Sequence, residues 1–445
     1  MTSIKLNSFL VKHISDKAKE FFDLMKVLPA SQNHATLHVL HELKNNGDTF
    51  PIAIERTQNS YLSCTENDSI GFIDADIYEF YQFISVLVKG NEIKKFVNHP
   101  FVELEVFEIL ASAKRSGSDI NSFGEQLEEK INKAIKNYEV RFSLLYLEFR
   151  VAIAVGKVEF AYYLKEDFDK YIEWSKGAGA DTDTYIQMQA YFQAKSFARF
   201  KVVAESERAI ELAKEECILC LNVFKICSTT LINPFIPLVF DIDSNVRANY
   251  DYQVILKTDN IEDGLKAKFH SGAPANVVID KESIKDFVNL GLSDFHNFLE
   301  SLPLVRTELQ TLIIQGINQL GDALSNQNYD QRIAGMFTIL EALLLRSDKD
   351  AIIETVCKYC SKLVQNDPDK RKNTIALLKK MYGMRSKYVH HAIQSDFDFN
   401  DLSELQQIIQ SLLKNLIKKS NNYSKKNDLL NDIDLEILKA YHNVW

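Results

Sequence analysis

The sequence predicts an α+β protein, with a mixed α/β N-terminal and middle region followed by a C-terminal all-α helical bundle. Three observations carry this expectation. Strand-like alternation recurs before residue 290, only helical periodicity follows it, and with 15 Gly and 8 Pro in 445 residues the chain is neither linker-rich nor collagen-like. The length suits about two or three domains, and the punctuation places them at 1–100, 101–289 and 290–445.

The elements follow in order. Phe9/Leu10, Ile14, Ala18, Phe21/Phe22 and Met25 recur at helical spacing over 9–28, and a second helix is expected over 33–44. Phe50 to Ile54 and Ile70 to Ile73 read as strands, with Asn67-Asp68 as turn material, before a helix over 75–89. His99-Pro100 and the Gly/Ser patch at 116–118 suggest the first boundary, near 100. Val151, Ile153 and Val155 alternate, as do Val158, Phe160 and Tyr162. Gly156-Lys157 between them makes a two-residue hairpin turn. Phe197 to Val203 reads as a strand, and Ser206 as the cap of the helix behind it. Val254 to Lys257 and Val277 to Ile279 are further strands, flanking a polar stretch with His270 and Pro274. Helices are then expected at 304–324, 329–346, 350–364, 368–391, 402–419 and 428–442. Asp367-Pro368 supplies a cap followed by proline at the first helical position, where a missing N–H costs nothing.

Charge and composition exclude several functions. A net charge of −9 disfavours a protein that coats nucleic acid non-specifically, while leaving room for a local basic cleft. No apolar run is long enough to span a membrane. The first residues lack the apolar core and cleavage site of a secretory signal, so a cytoplasmic protein without membrane association is expected. Six cysteines in such a chain do not make a disulfide framework.

Several constellations carry little. Cys217/Cys220 and Cys357/Cys360 have zinc-like spacing, but Cys217, Cys220 and Cys227 share a stripe with Ile210, Ala213 and Phe224. Cys357 and Cys360 likewise fall close to Ile353, Val356 and Leu363. A buried helix face is the simpler reading. His34, His38 and His41 share one helix face, yet the HExxH pairing is absent, so a solvated or hydrogen-bonding face is preferred over a metal site. Gly177-Ala-Gly179 lacks the remaining residues of a dinucleotide or phosphate loop and reads as a surface turn. No metal and no cofactor is expected.

The informative stretch is Lys379 to His391. From Arg346 to His391 there are eleven Lys/Arg against five Asp/Glu, a local reversal of sign in an acidic chain. It is either an electrostatic footprint for phosphate or a solvated face balanced by acids elsewhere. Cleaving RNA without a metal needs a base for the 2′-OH proton, an acid for the leaving 5′-oxygen and a cation for the phosphorane. Histidine suits the first two roles and arginine the third. Arg385, Ser386 and His390 offer these types within six residues. Ser386 and His390, four apart, share a helix face, whereas Arg385 and His390 lie ~140° apart around an ideal helix. Convergence on one phosphate therefore requires a distorted helix end or a second copy of the helix, a physical reason to expect a homodimer. Lys379, Lys380 and Lys387 are the expected RNA-backbone contacts.

At these residues the sequence resembles the Apea-like branch of the HEPN superfamily. Met381-Tyr382 followed by Arg385-Ser386 and Val389-His390 is similar to its arginine–histidine motif. The helix from Arg332, with Leu340-Glu341-Ala342-Leu343, is similar to the branch's glutamate-bearing helix. The resemblance covers about 300–420, and the position after the histidine, often glycine in the family, is His391 here. It implies a HEPN-like bundle that dimerises and acts as a metal-independent endoribonuclease with a composite site, in antiviral, abortive-infection or toxin-type defence. It further implies an RNA substrate such as tRNA and a viral trigger or inhibitor as partner. Arg385 and His390 match the catalytic pair and Ser386 the polar residue beside them, with Tyr382 as support. Glu341 either orients Arg385 or faces solvent, and His391 is either a helix-end cation or a second base. The alternative is a non-catalytic HEPN-type module that binds RNA, a nucleotide or a protein.

Overall fold

A computed structural model describes residues 8–29, 52–58, 60–65, 67–89, 92–178, 181–193, 195–235, 240–242, 251–257, 265–271, 277–303, 305–347, 349–391, 393 and 398–442. The helix expected over 33–44, with His34, His38 and His41, lies outside the described residues, as do Gly179 and 272–274. The chain forms two compact units, one of residues 1–140 and 201–213, the other of 141–200 and 214–445.

The first unit holds α1 (Ser8–Leu24), β1 (Lys26–Pro29), β2 (Ala53–Arg56), β3 (Ser60–Cys64), β4 (Asp68–Ile73), α2 (Ala75–Lys89), α3 (His99–Ser116) and α4 (Phe123–Ala134). Its antiparallel sheet runs β1-β4-β3-β2, with Arg56 opposite Tyr61 and Leu62 opposite Gly71. Gly71 is required, because a Cβ there would lie 2.0 Å from the Tyr61 carbonyl oxygen. The sheet's core is aromatic: Phe72 stacks on Phe80 at 4.7 Å and Tyr61 on Phe107 at 4.0 Å. Ile14, Ala18 and Phe21 of α1 close over it. Val102, Val106 and Leu110 of α3 are buried in the same core, so the boundary between compact units does not fall near 100. His99-Pro100 opens a helix instead, capped by Asn98, whose side chain accepts from the Phe101 N–H at 2.9 Å.

The chain continues through β5 (Lys136–Leu145), β6 (Leu147–Phe149), β7 (Ile153–Val155), β8 (Val158–Tyr162), α5 (Glu166–Ala178), α6 (Thr182–Phe192), β9 (Ser196–Ala204) and α7 (Ser206–Ile226). β10 (Asp241–Ile242), β11 (Asp251–Lys257), β12 (Leu265–Ser271) and β13 (Val277–Ile279) follow. A five-stranded sheet has the order β10-β5-β9-β8-β7, while β13 runs parallel to β6 and β11 pairs antiparallel with β12. The polar stretch with His270 is thus partly strand. The β7–β8 hairpin turns through Gly156 at φ +55°, with Val155 opposite Val158, as its sequence predicts. The cap of α7 is a correction. Buried Glu205, not Ser206, accepts from the Glu207 and Arg208 N–H groups at 2.8 and 3.1 Å, because its carboxylate reaches both orphan donors.

From residue 281 the regular elements of the described residues are helices: α8 (Lys281–Asn289), α9 (Leu292–Ser301), α10 (Glu308–Ser325), α11 (Tyr329–Leu344), α12 (Ile352–Val364), α13 (Pro368–His391), α14 (Phe399–Lys419) and α15 (Lys426–His442). The fold class is therefore the expected one, mixed α/β and then all-α. The division at 290 is not between compact units. Phe149, Phe160 and Phe224 share one continuous core with Phe295, Phe337, Ile408 and Ile409, since the helices bury their apolar stripes against the strands as well as each other.

Candidate functional site

The site helix, α13, is specified locally at both faces. Asp367 accepts from the Asp369 and Lys370 N–H groups at 2.8 and 3.1 Å, with Pro368 in the first turn. Thr374, Leu377, Leu378 and Met381 form the buried stripe, spaced i, i+3, i+4 and i+7. The rest of its surface is cationic: seven Lys/Arg against Asp369 alone between residues 368 and 391. The partner helix α11 is anchored by Arg332, fully buried and held by oxygens rather than by a carboxylate. Its guanidinium donates to Asn326 O at 2.7 Å, Pro234 O at 2.9 Å and Gln406 Oε1 at 3.4 Å. Burial pushes its pKa down to about 10.

These two helices meet at Arg385. Its Nη2 lies 3.4 Å from Glu341 Oε1, and the two side chains are 18% and 21% exposed. The guanidinium carbon sits 5.7 Å from the centre of the Tyr382 ring, which packs edge-on against Phe337 at 5.4 Å. The contact with Glu341 is an ion pair rather than an aligned hydrogen bond, for Arg385 Nε and Glu341 Oε1 are both buried without a hydrogen-bond partner. Of the two readings open for Glu341, the structure places its carboxylate on Arg385.

His390 and His391 stand elsewhere. α13 continues as helix to His391, and both imidazoles are exposed, their ring centres 6.4 Å apart. Ser386 is half-buried and shares the helix face of His390. Arg385 is turned toward α11, about 140° around the axis from His390. One chain thus brings Arg385, Tyr382 and Glu341 together and leaves His390 apart from them. Val389, though apolar, is 49% exposed.

The charge of the segment divides into neutralised and free parts. Lys380 is paired with Asp401 of α14, which raises its pKa. Lys379 and Lys387 are exposed and carry no ion pair among the described residues. Farther upstream, Arg346 and Lys358 contact Asp434 of α15 at 2.7 and 2.6 Å, and Lys362 contacts Glu436 at 3.2 Å. Sequence reasoning missed these acids. The signal was present, since Asp428, Asp432, Asp434 and Glu436 follow the basic segment, but nothing local ties them to it.

The cysteines behave as core residues. All six are buried and free. Burial pushes the Cys217 thiol up to about 12 and Cys357 up to about 11, which disfavours the thiolate that a metal requires. Among the described residues no group of three or more His, Cys, Asp and Glu side chains is placed to hold a metal ion. No described helix is long and apolar enough to cross a membrane. Comparisons with protein-family models, with curated proteins and with solved structures each found no match to this chain.

Proposed function

We propose that this protein is a metal-independent endoribonuclease whose site is completed by a second copy of the chain. The observation that carries the reading is the arrangement along α13: an arginine held against Glu341 and Tyr382, and an exposed histidine five residues on. In this reading His390 takes the 2′-OH proton as the 2′-oxygen attacks phosphorus. A protonated imidazole, from the same or the partner chain, returns a proton to the departing 5′-oxygen. Arg385 offsets the charge that builds on the phosphorane. The P–O5′ bond breaks as the P–O2′ bond forms, so the products carry 2′,3′-cyclic phosphate and 5′-hydroxyl ends. Ser386 adds a hydrogen bond, and Lys379 and Lys387 hold the flanking phosphates. Because Arg385 and His390 diverge on one helix, two α13 helices across a two-fold axis line the cleft. The setting we propose is cytoplasmic antiviral defence, with RNA such as tRNA as substrate and a viral trigger or inhibitor acting on the protein.

Incubation with total RNA in EDTA tests this reading. Cleavage that persists in chelator, leaves cyclic phosphate ends and drops at least about 100-fold in both Arg385→Ala and His390→Ala supports it. Cleavage unchanged in those variants removes the assignment. A second reading, a non-catalytic RNA-, nucleotide- or protein-binding module, is favoured by the Arg385–Glu341 pair, which also suits a plain interhelical tie. Salt-sensitive RNA binding without cleavage across several RNA types, with partners present, selects it.

A further inference from the structure

We propose that Arg346, Lys358 and Lys362 form a second phosphate-binding surface, occupied by carboxylates of α15 that RNA displaces. The inference rests on the RNA-binding part of the reading above, not on catalysis. Three observations support it.

The first is a built cation site. Arg346 and Lys358 converge on one carboxylate, that of Asp434, at 2.7 and 2.6 Å. Tyr359 Oη donates to the same group at 3.0 Å. Both cations also lie over the Tyr359 ring, at 5.5 and 5.0 Å from its centre, and Arg346 donates to Asn431 of α15 as well, at 3.0 Å. An arginine, a lysine and a hydroxyl gripping two oxygens is the arrangement that a phosphodiester also satisfies. Lys362, one helical turn beyond Lys358, extends the row by one charge and rests on Glu436 at 3.2 Å.

The second observation is how α15 is held. Leu429, Leu430 and Ile433 bury its first half. From Asp434 to Lys439 no residue is buried, and Leu435 and Leu438 are more than half exposed. The second half is thus fastened by Ile437, partly buried against the core, and by ion pairs to the cations it covers. Such pairs are individually weak and yield to salt or to a competing polyanion.

The third is continuity. α12 packs beside α13, with Cys357 Sγ 3.9 Å from the Ile375 carbonyl oxygen. Uncovering the α12 cations adds them to a pair of neighbouring helices that already carries the exposed Lys379 and Lys387.

The test uses the full chain in a His390→Ala background, so that binding is read without cleavage. The probe is a fluorescein-labelled 20-nucleotide oligouridylate, titrated from 50 to 300 mM KCl. Asp434→Asn with Glu436→Gln is expected to bind about 5- to 10-fold more tightly at the lowest salt. Its salt slope should be steeper by about 2, as three additional phosphate contacts on a single strand require. Glu282→Gln with Asp286→Asn on α8, an equal change in net charge, should leave both quantities as they were. Adding Lys358→Glu and Lys362→Glu should abolish the gain. Circular dichroism and melting temperature check that each variant is folded. The proposal is overturned if the α8 control gains as much, if the gain survives the lysine reversals, or if no gain appears; the pairs then serve only to fasten the C-terminal helix. A protein that passes yet never cuts RNA loses the nuclease reading alone, and one that cuts RNA without the gain loses only this surface.

Discussion

Arg385 and Glu341 form a half-buried pair whose worth is decided by geometry more than by charge. At 3.4 Å, without an aligned hydrogen bond and with about a fifth of each side chain exposed, the contact belongs nearer the surface ion pairs than the buried ones. Glu341→Gln should therefore cost about 1 kcal/mol, a fall in melting temperature of about 1–2 °C for a unit of this size. On the nuclease reading the same change lowers activity far more than stability, because a guanidinium freed from its carboxylate no longer holds one position. Thermal melts and cleavage rates measured on one preparation check this. A loss of activity proportional to the loss of folded protein would show that the pair is only a tie. Arg332 gives the contrast: fully buried and held by backbone and amide oxygens, it fixes α11 without offering a charge to any ligand.

α13 and α15 differ in what keeps them in place. α13 has a side-chain cap and a four-residue buried stripe. The outer half of α15 is tied through Asp434, beside Ile437 and Glu436; burial raises the Asp434 carboxyl pKa, and hydrogen bonds from Lys358, Arg346 and Tyr359 outweigh it, leaving the group below its ordinary value. A carboxyl depressed on folding stabilises the fold fully above its unfolded pKa, near 4, and that contribution is lost as pH falls through the lower folded value. Hydrogen-exchange protection of residues 434–442, corrected for intrinsic rates, should thus stay level from pH 7 to about 5 and fall only below about 4. Protection that declines between pH 7 and 5 would mean that some group other than Asp434 holds the helix.

The described residues form two separate cores, one around Phe72, Phe80 and Phe107 and one running from Leu144 to Ile433. Separate cores allow separate unfolding transitions. Phe107→Ala and Phe337→Ala each delete a fully buried ring, at a cost of about 3–5 kcal/mol. Calorimetry should find that each lowers one transition and leaves the other within error. A single transition lowered equally by both would show that the cores melt as one.

Local order was largely legible in the chain. Helical spacing and caps placed 75–89 and 368–391 at their observed ends, and the Gly156-Lys157 turn and the strand through Phe197 followed from short-range stereochemistry. The arginine and histidine of the candidate site were visible as types, and their divergence followed from the pitch of the helix. What tertiary structure alone decided was the company each charge keeps. Arg346 finds Asp434 88 residues away, Lys380 finds Asp401 21 away, and Arg385 finds a carboxylate on another helix. It also decided that helix 99–116 joins the first core and that the strands before 290 share a core with the bundle after it. The physical reason is one of range. Backbone hydrogen bonding and capping act within a few residues, whereas burial and ion pairing act between surfaces that meet only when the chain is packed.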